Sequence, residues 1–248
     1  MDSVDPEDVT VGVDFGQKSD PTAIVVVQIV RRTVAWPDPA KEAIAFWTMT
    51  EERTETRFIG RRIERLPLGT SYPKVAKRVA DIVAGIHHLR PRNLAPSSGP
   101  TIIADATGLG TPVLDILKEE LAVRRLACKI TGATFTHGQK LTGNVGDPAI
   151  TVGKGYLVSR LQSLLQTDRI DLPRTAEAIA LKEELLNYDI RVDPDGDAKF
   201  GAFRVGSHDD LATALGLGVL ADEPGGSSWD DLPAADIAAW RALATGRI

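Results

Sequence analysis

The sequence predicts an α/β fold: a mixed central sheet, opened by an antiparallel hairpin, continued by parallel strands and flanked by helices. Three observations predict it. β-branched runs at residues 11–13 and 24–27 flank a segment rich in turn formers, from Gly16 to Pro21, which is the pattern of a hairpin. An apolar strand at 101–104, a helix from about Pro112 and a further strand at 126–130 follow in the order of a βαβ crossover. Farther on, DPDGD separates strand-like runs at 188–192 and 199–205, a second hairpin signal.

The composition of the 248 residues, 43% apolar and 25% charged, is that of a globular chain with one sizeable core. No apolar run approaches the roughly 20 residues that span a bilayer, and MDSVDPED has neither the basic nor the apolar region of a signal peptide. A soluble, unexported protein is expected. The single cysteine, Cys128, excludes an internal disulfide and a cysteine-based zinc site, and its setting in LACKI predicts a buried strand thiol. The net charge of −5 is gathered at the two ends, which leaves the middle of the chain mildly basic, with clusters at 53–65, 74–78 and 124–129. Those clusters permit binding of a polyanion without demanding it.

The opening hairpin places Asp14 where the first strand meets its turn. Residues 31–41 read as a loop, 43–50 (AIAFWTMT) as a third strand, and 53–67 as a basic segment with no clear pattern. Ser71 and Pro73 open a helix whose apolar face is Val75, Val79, Ile82, Val83 and Ile86. His87 and His88 close it, where imidazolium suits the helix dipole, and Pro91, Pro96 and Gly99 follow as a loop. The strand at 101–104 runs into Asp105, then Thr107, Gly108 and Gly110 turn into a helix over 112–120. Residues 132–148 form a glycine- and threonine-rich loop carrying His137 and Lys140, either lying over a site or simply at the surface. Helices are predicted over 154–166 and 175–187, the first beginning at Lys154. After the second hairpin, His208-Asp209-Asp210 opens an Ala- and Leu-rich helix reaching about Leu220. Gly225-Gly226-Ser227-Ser228 then reads as a flexible joint before an acidic stretch at 229–248.

Each acidic point has an ordinary explanation when taken alone, as a turn residue at Asp105 or a helix cap at Asp209. The joint pattern is more informative. Two acids end strands and a pair of acids begins a helix, all bounded by glycine or small residues. Magnesium and manganese prefer carboxylate oxygen, and a two-metal site needs several acids converging from different elements.

VGVDFG, IIADATGLG and GSHDDLATALGLGVL, in that order, resemble the motifs of the ribonuclease H-like nuclease domain of the large terminase subunit of tailed bacteriophages. The resemblance extends over about residues 10–220, including VGKGYLVSRLQSLL and ALKEELLNYDI. It implies a metal-dependent endonuclease that cleaves concatemeric double-stranded viral DNA during genome packaging, with little sequence specificity, in the cytoplasm of an infected bacterium. It further implies two Mg²⁺ or Mn²⁺ ions held by Asp14, Asp105, Asp209 and Asp210, with Asp14 bridging, and His208, Lys140 and Lys154 supporting the ligands or facing DNA. The domains expected are an extension at 1–9, the nuclease domain at 10–221 and an acidic tail at 222–248. Partners implied are double-stranded DNA, the packaging ATPase domain, the small terminase and the portal, with no membrane. One departure stands out: no G-x-x-x-x-G-K-[ST] phosphate loop occurs, since Gly153-Lys154-Gly155 lacks both the upstream glycine spacing and the hydroxyl after lysine. An isolated nuclease domain without a motor is therefore expected. VGVDFG and DATGLG also resemble the phosphate loops of actin-like ATPases and sugar kinases, and a junction-resolving nuclease is a further alternative.

Overall fold

The predicted hairpin lies at the centre of the sheet in the computed structural model, which describes residues 5–16, 20–37, 50–90, 98–108, 110–186, 189–192, 198–201 and 208–222. Strand β1 (Val9–Asp14) pairs antiparallel with β2 (Ala23–Pro37) and parallel with β4 (Thr101–Asp105). Outward from β2 comes β3 (Thr50–Arg65), antiparallel, and then the two-residue β8 (Ile170–Asp171). Outward from β4 come β5 (Lys129–Thr136) and β7 (Ala149–Gly153), both parallel, with β6 (Leu141–Thr142) at the edge. The eight-stranded order is thus β6-β7-β5-β4-β1-β2-β3-β8, and β9 (Asp189–Val192) with β10 (Ala198–Gly201) forms a separate antiparallel pair.

Alternation along β2 sorts its side chains between two layers, as the period of two in a strand requires. Ile24 and Val26 face helices α1 (Tyr72–His88) and α2 (Gly110–Val123), packing with Val79, Val83 and Leu117. Val25 and Val27 face α3 (Lys154–Gln166), α4 (Ala176–Leu186) and α5 (Asp210–Gly218), packing with Leu164, Leu181 and Leu215. Each of these fully buried side chains is worth about 1.5–3 kcal/mol relative to exposure. The βαβ crossover of β4, α2 and β5 forms as expected, and α1 and α3 begin and end within a residue or so of their predicted limits.

Three expectations require correction. Residues 31–37 are strand, not loop: they pair with 50–56 as an extension of the hairpin, and residues 53–65 lie in β3. Arg31 to Thr33 are exposed, and there charges pair across the strands, as in Arg32–Glu55 at 2.7 Å. The strand predicted at 126–130 begins at Lys129 and runs to Thr136, into the segment read as loop, because threonine suits a strand as well as valine does. Cys128 therefore lies just before β5, half-buried, and burial pushes its thiol up to about 11. Most of the strand predicted at 43–50, the DPDGD turn and the segment after Asp222 lie outside the described residues.

Candidate active site

Register places the first two acids side by side. Val13 is level with Ala104 across the parallel β1–β4 pair, so Asp14 and Asp105 are the next residues at the carboxyl ends of adjacent central strands. That end of an open α/β sheet is where ligands bind. The turn after Asp14 is closed by Thr22, whose Oγ1 accepts from the Gly16 N–H (3.1 Å) and donates to the Gly16 carbonyl (2.8 Å). A Cβ at Gly16 would lie 2.1 Å from the Asp20 carbonyl oxygen, so only glycine fits the turn. Asp105 Oδ1 accepts from the Thr107 N–H at 2.7 Å, which fixes its side chain over the following turn.

The third acidic point arrives because α5 lies directly on β1. A Cβ at Gly12 would stand 2.0 Å from the Ala214 carbonyl oxygen and 2.7 Å from the Gly218 nitrogen, and its absence lets helix and strand backbones touch. The N-terminus of α5 is thereby brought to the end of β1. The resulting electrostatics are unfavourable for bare carboxylates. Asp14 is held well above the ordinary value of 3.8, first by burial and then by Asp105, Asp209 and Asp210, with Lys154 opposing. Asp105 is also raised, by burial, against its bonds to Thr107 and the charge of Lys154.

The structure separates the two acids that are adjacent in sequence. Asp210 is buried, and Arg65, at the end of β3, grips it through Nε to Oδ2 (2.7 Å) and Nη2 to Oδ1 (3.3 Å). The same Arg65 Nη2 bonds Glu184 of α4, whose other oxygen accepts the Ala212 N–H at 2.9 Å. Burial pushes Glu184 up to about 7, aided by Asp210 and opposed by the Ala212 N–H and Arg65. Asp209, at the N-cap of α5, is half-buried and makes no capping bond with its side chain. His208 is also half-buried; its Nδ1 is enclosed without a hydrogen-bond partner among the described residues, 3.7 Å from Asp20 Oδ1 and 3.8 Å from Asp210 Oδ1.

Arg65 and Glu184 were not singled out in the sequence. Arg65 is one of several arginines in a basic run, and Glu184 sits among the charged residues of an ordinary helix surface. Other arginines of β3 with described side chains are locally engaged: Arg57 with Asp171 (3.1 Å), Arg62 with Glu64 (2.8 Å), and Arg61 with the amide oxygen of Gln28 (2.8 Å). Lys154 begins α3 at the same sheet end as the acids, with its Nζ 5.8 Å from the centre of the Phe135 ring. Lys140 is exposed, and its carbonyl accepts the Gly153 N–H at 2.8 Å, which places it beside Lys154. His137 is exposed, and His87 bonds the Ala127 carbonyl through Nε2 at 2.8 Å, far from this constellation in role.

An all-oxygen set of partly buried carboxylates that repel one another suits a hard divalent cation. The unpartnered His208 Nδ1 beside them is a further polar atom left unsatisfied. Among the described residues no three His, Cys, Asp or Glu side chains are drawn tightly enough to form a closed cluster, so the acids are within electrostatic reach of one another without being preassembled.

The strand order β3-β2-β1-β4-β5, with the hairpin antiparallel and the rest parallel, defines a ribonuclease H-like fold. It is the fold of large terminase nuclease domains. The chain is similar to the Thermus phage P74-26 large terminase nuclease domain, at 16% identity over 91% of this chain and 87% of that one, with a TM-score of 0.52. It is similar also to the large terminase nuclease of thermophilic phage G20c with bound magnesium, at 17% identity over 88% of this chain and 83% of that one, with a TM-score of 0.51. The cobalt-bound form of the G20c nuclease gives the same identity and coverage and a TM-score of 0.50. No protein-family profile matches the sequence, and no curated protein matches it.

Proposed function

We propose that residues 10–221 are a metal-dependent endonuclease domain that cleaves concatemeric double-stranded viral DNA during genome packaging, with residues 222–248 as an acidic tail. The observation that carries this reading is the convergence at Asp14: the register sets Asp105 beside it on the adjacent strand, and Asp209 and Asp210 at the start of α5 bear on the same central strand end, which burial already makes hostile to charge. Asp14 and Asp105, on adjacent strands, and Asp209, at the start of α5, would hold the ions, with Asp14 shared between two. Bound Mg²⁺ or Mn²⁺ would supply an activated water at neutral pH and stabilise charge on the leaving oxygen.

The chain's own residues divide the remaining work. Asp210, gripped by Arg65, anchors the N-terminus of α5 and has fewer oxygens to offer than Asp209, so we assign it the minor part in binding. Lys154 offsets the acids' charge and, with Lys140 beside it, would meet the DNA phosphate; His208 would support a ligand or the substrate. The hydrolysis requires no protein nucleophile. The similarity of fold to nucleases crystallised with magnesium or cobalt supports the reading.

Plasmid cleavage tests it. Wild-type protein should nick and linearise supercoiled DNA only with Mg²⁺ or Mn²⁺ present, and Asp14→Asn should lower the rate by more than about 100-fold while its circular dichroism is unchanged. Near-normal cleavage by that variant would refute the site.

A further inference from the structure

We propose that the acidic segment 223–248 of this chain docks in a groove between α1 and the sheet, on the face opposite α5. The groove, of about 590 Å³, lies between the second half of α1 and strands β1 to β3. Its apolar surface is Val9, Val26, Ile82 and Ile86, and it opens at Leu89, which is 40% exposed. A side chain placed at Gly85 on its wall would meet nothing within 4 Å. Arginines form the rim. Arg62 and Arg78 share Glu64, each at 2.8 Å. Arg61 is the extra residue of a bulge, since the register steps from Val26↔Arg62 to Val27↔Gly60, and it donates to the neutral amide of Gln28. A bulge that re-aims one side chain is a built feature. The single acid in the lining, Asp81, is held by Arg124 at 2.6 Å.

Such a groove suits apolar side chains flanked by carboxylates. A nucleic acid backbone fits it less well, because the floor is apolar and Asp81 stands on its wall. The segment after Asp222 has the complementary chemistry: Trp229 and Leu232 enclose Asp230 and Asp231, and Ile237, Trp240 and Leu243 recur three apart beyond Asp236. It also starts in the right place. Asp222 is bound to Arg31 at 2.6 Å, and Arg31 is bound at 3.2 Å to Asp8, the neighbour of Val9 on the groove floor. Residues 223–228 span up to about 20 Å when extended, enough to pass the end of a sheet whose packed layers are about 10 Å apart. The inference is independent of the nuclease reading, because the groove lies at the opposite end of β1 from Asp14.

Hydrogen exchange read by mass spectrometry on the full chain tests it. In wild-type protein, amides of residues 81–89 should exchange at least about fivefold more slowly than in Trp229→Ala/Trp240→Ala, while 101–105 are unchanged. Arg61→Glu, at an exposed position, should speed the same amides, and adding Asp231→Arg should restore their protection. Equal exchange at 81–89 in wild type and both variants would overturn the proposal. So would protection that appears only as the molecular mass doubles with concentration, or only on adding duplex DNA, since either would give the groove a different occupant.

Discussion

Asp14 keeps a carboxylate where folding alone disfavours one, and that cost is measurable without any activity. Because its folded value is raised, the folded protein binds a proton that the unfolded chain has released, and stability falls as pH rises from the ordinary 3.8 through the raised folded value. In the absence of divalent ions, Asp14→Asn should therefore raise Tm at neutral pH, by about 2–4 °C for each kcal/mol of repulsion and desolvation relieved. The gain should shrink as pH falls toward the ordinary carboxylate range, where both states of the wild type are protonated. Differential scanning calorimetry at several pH values in EDTA checks this, and a variant less stable than wild type at neutral pH would contradict it. At this scale the sequence was legible wherever an acid is punctuated by glycine after a strand, as at Asp14 and Asp105. It was opaque at Arg65 and Glu184, whose partners are 145 and 119 residues apart in the chain and leave no local pattern.

At the scale of elements, the site depends on how α5 is seated. Gly12 lets the helix touch β1, and Arg65 ties its first turn to the end of β3 and, through Glu184, to α4. Arg65→Met should leave two carboxylates in or near the core without their cation, a loss of about 3 kcal/mol. Urea denaturation should show a lower midpoint with an unchanged slope; a variant as stable as wild type would show that the Arg65 contacts are incidental. Helices with one apolar face were easy to read, and α3 is where its leucines predicted. The outer part of the β2–β3 ribbon was not, because Arg31 to Thr33 are exposed and give no apolar–polar alternation, and what marks the pairing there is a charge pair across the strands, Arg32 with Glu55. The β5 boundary was missed for a related reason: glycine and threonine in KITGATFT read as loop, although Thr131 and Ala133 are fully buried.

For the whole molecule, a net charge of −5 is awkward for a protein proposed to act on DNA, and the structure shows that much of its basic surface is already paired. Binding should then be weak and without sequence preference, with Kd of about 10⁻⁴ to 10⁻⁶ M at physiological salt and a log–log salt slope of about −0.9 per phosphate neutralised. Divalent ions should tighten it, because the clustered carboxylates otherwise repel the phosphate. Fluorescence anisotropy of a non-hydrolysable duplex in a salt series, with and without Ca²⁺, measures both effects, and salt-independent binding would contradict the expectation. The architecture was legible in the sequence because a hairpin, a βαβ crossover and a helix follow in order, each punctuated by an acid at 14, 105 or 209. The central claim is that these three side chains hold the ions, and a crystal soaked in Mn²⁺ tests it most directly. The account predicts two anomalous peaks about 3.5–4 Å apart, both ligated by Asp14, one also by Asp105 and the other by Asp209; peaks elsewhere, or none at saturating Mn²⁺, would contradict it.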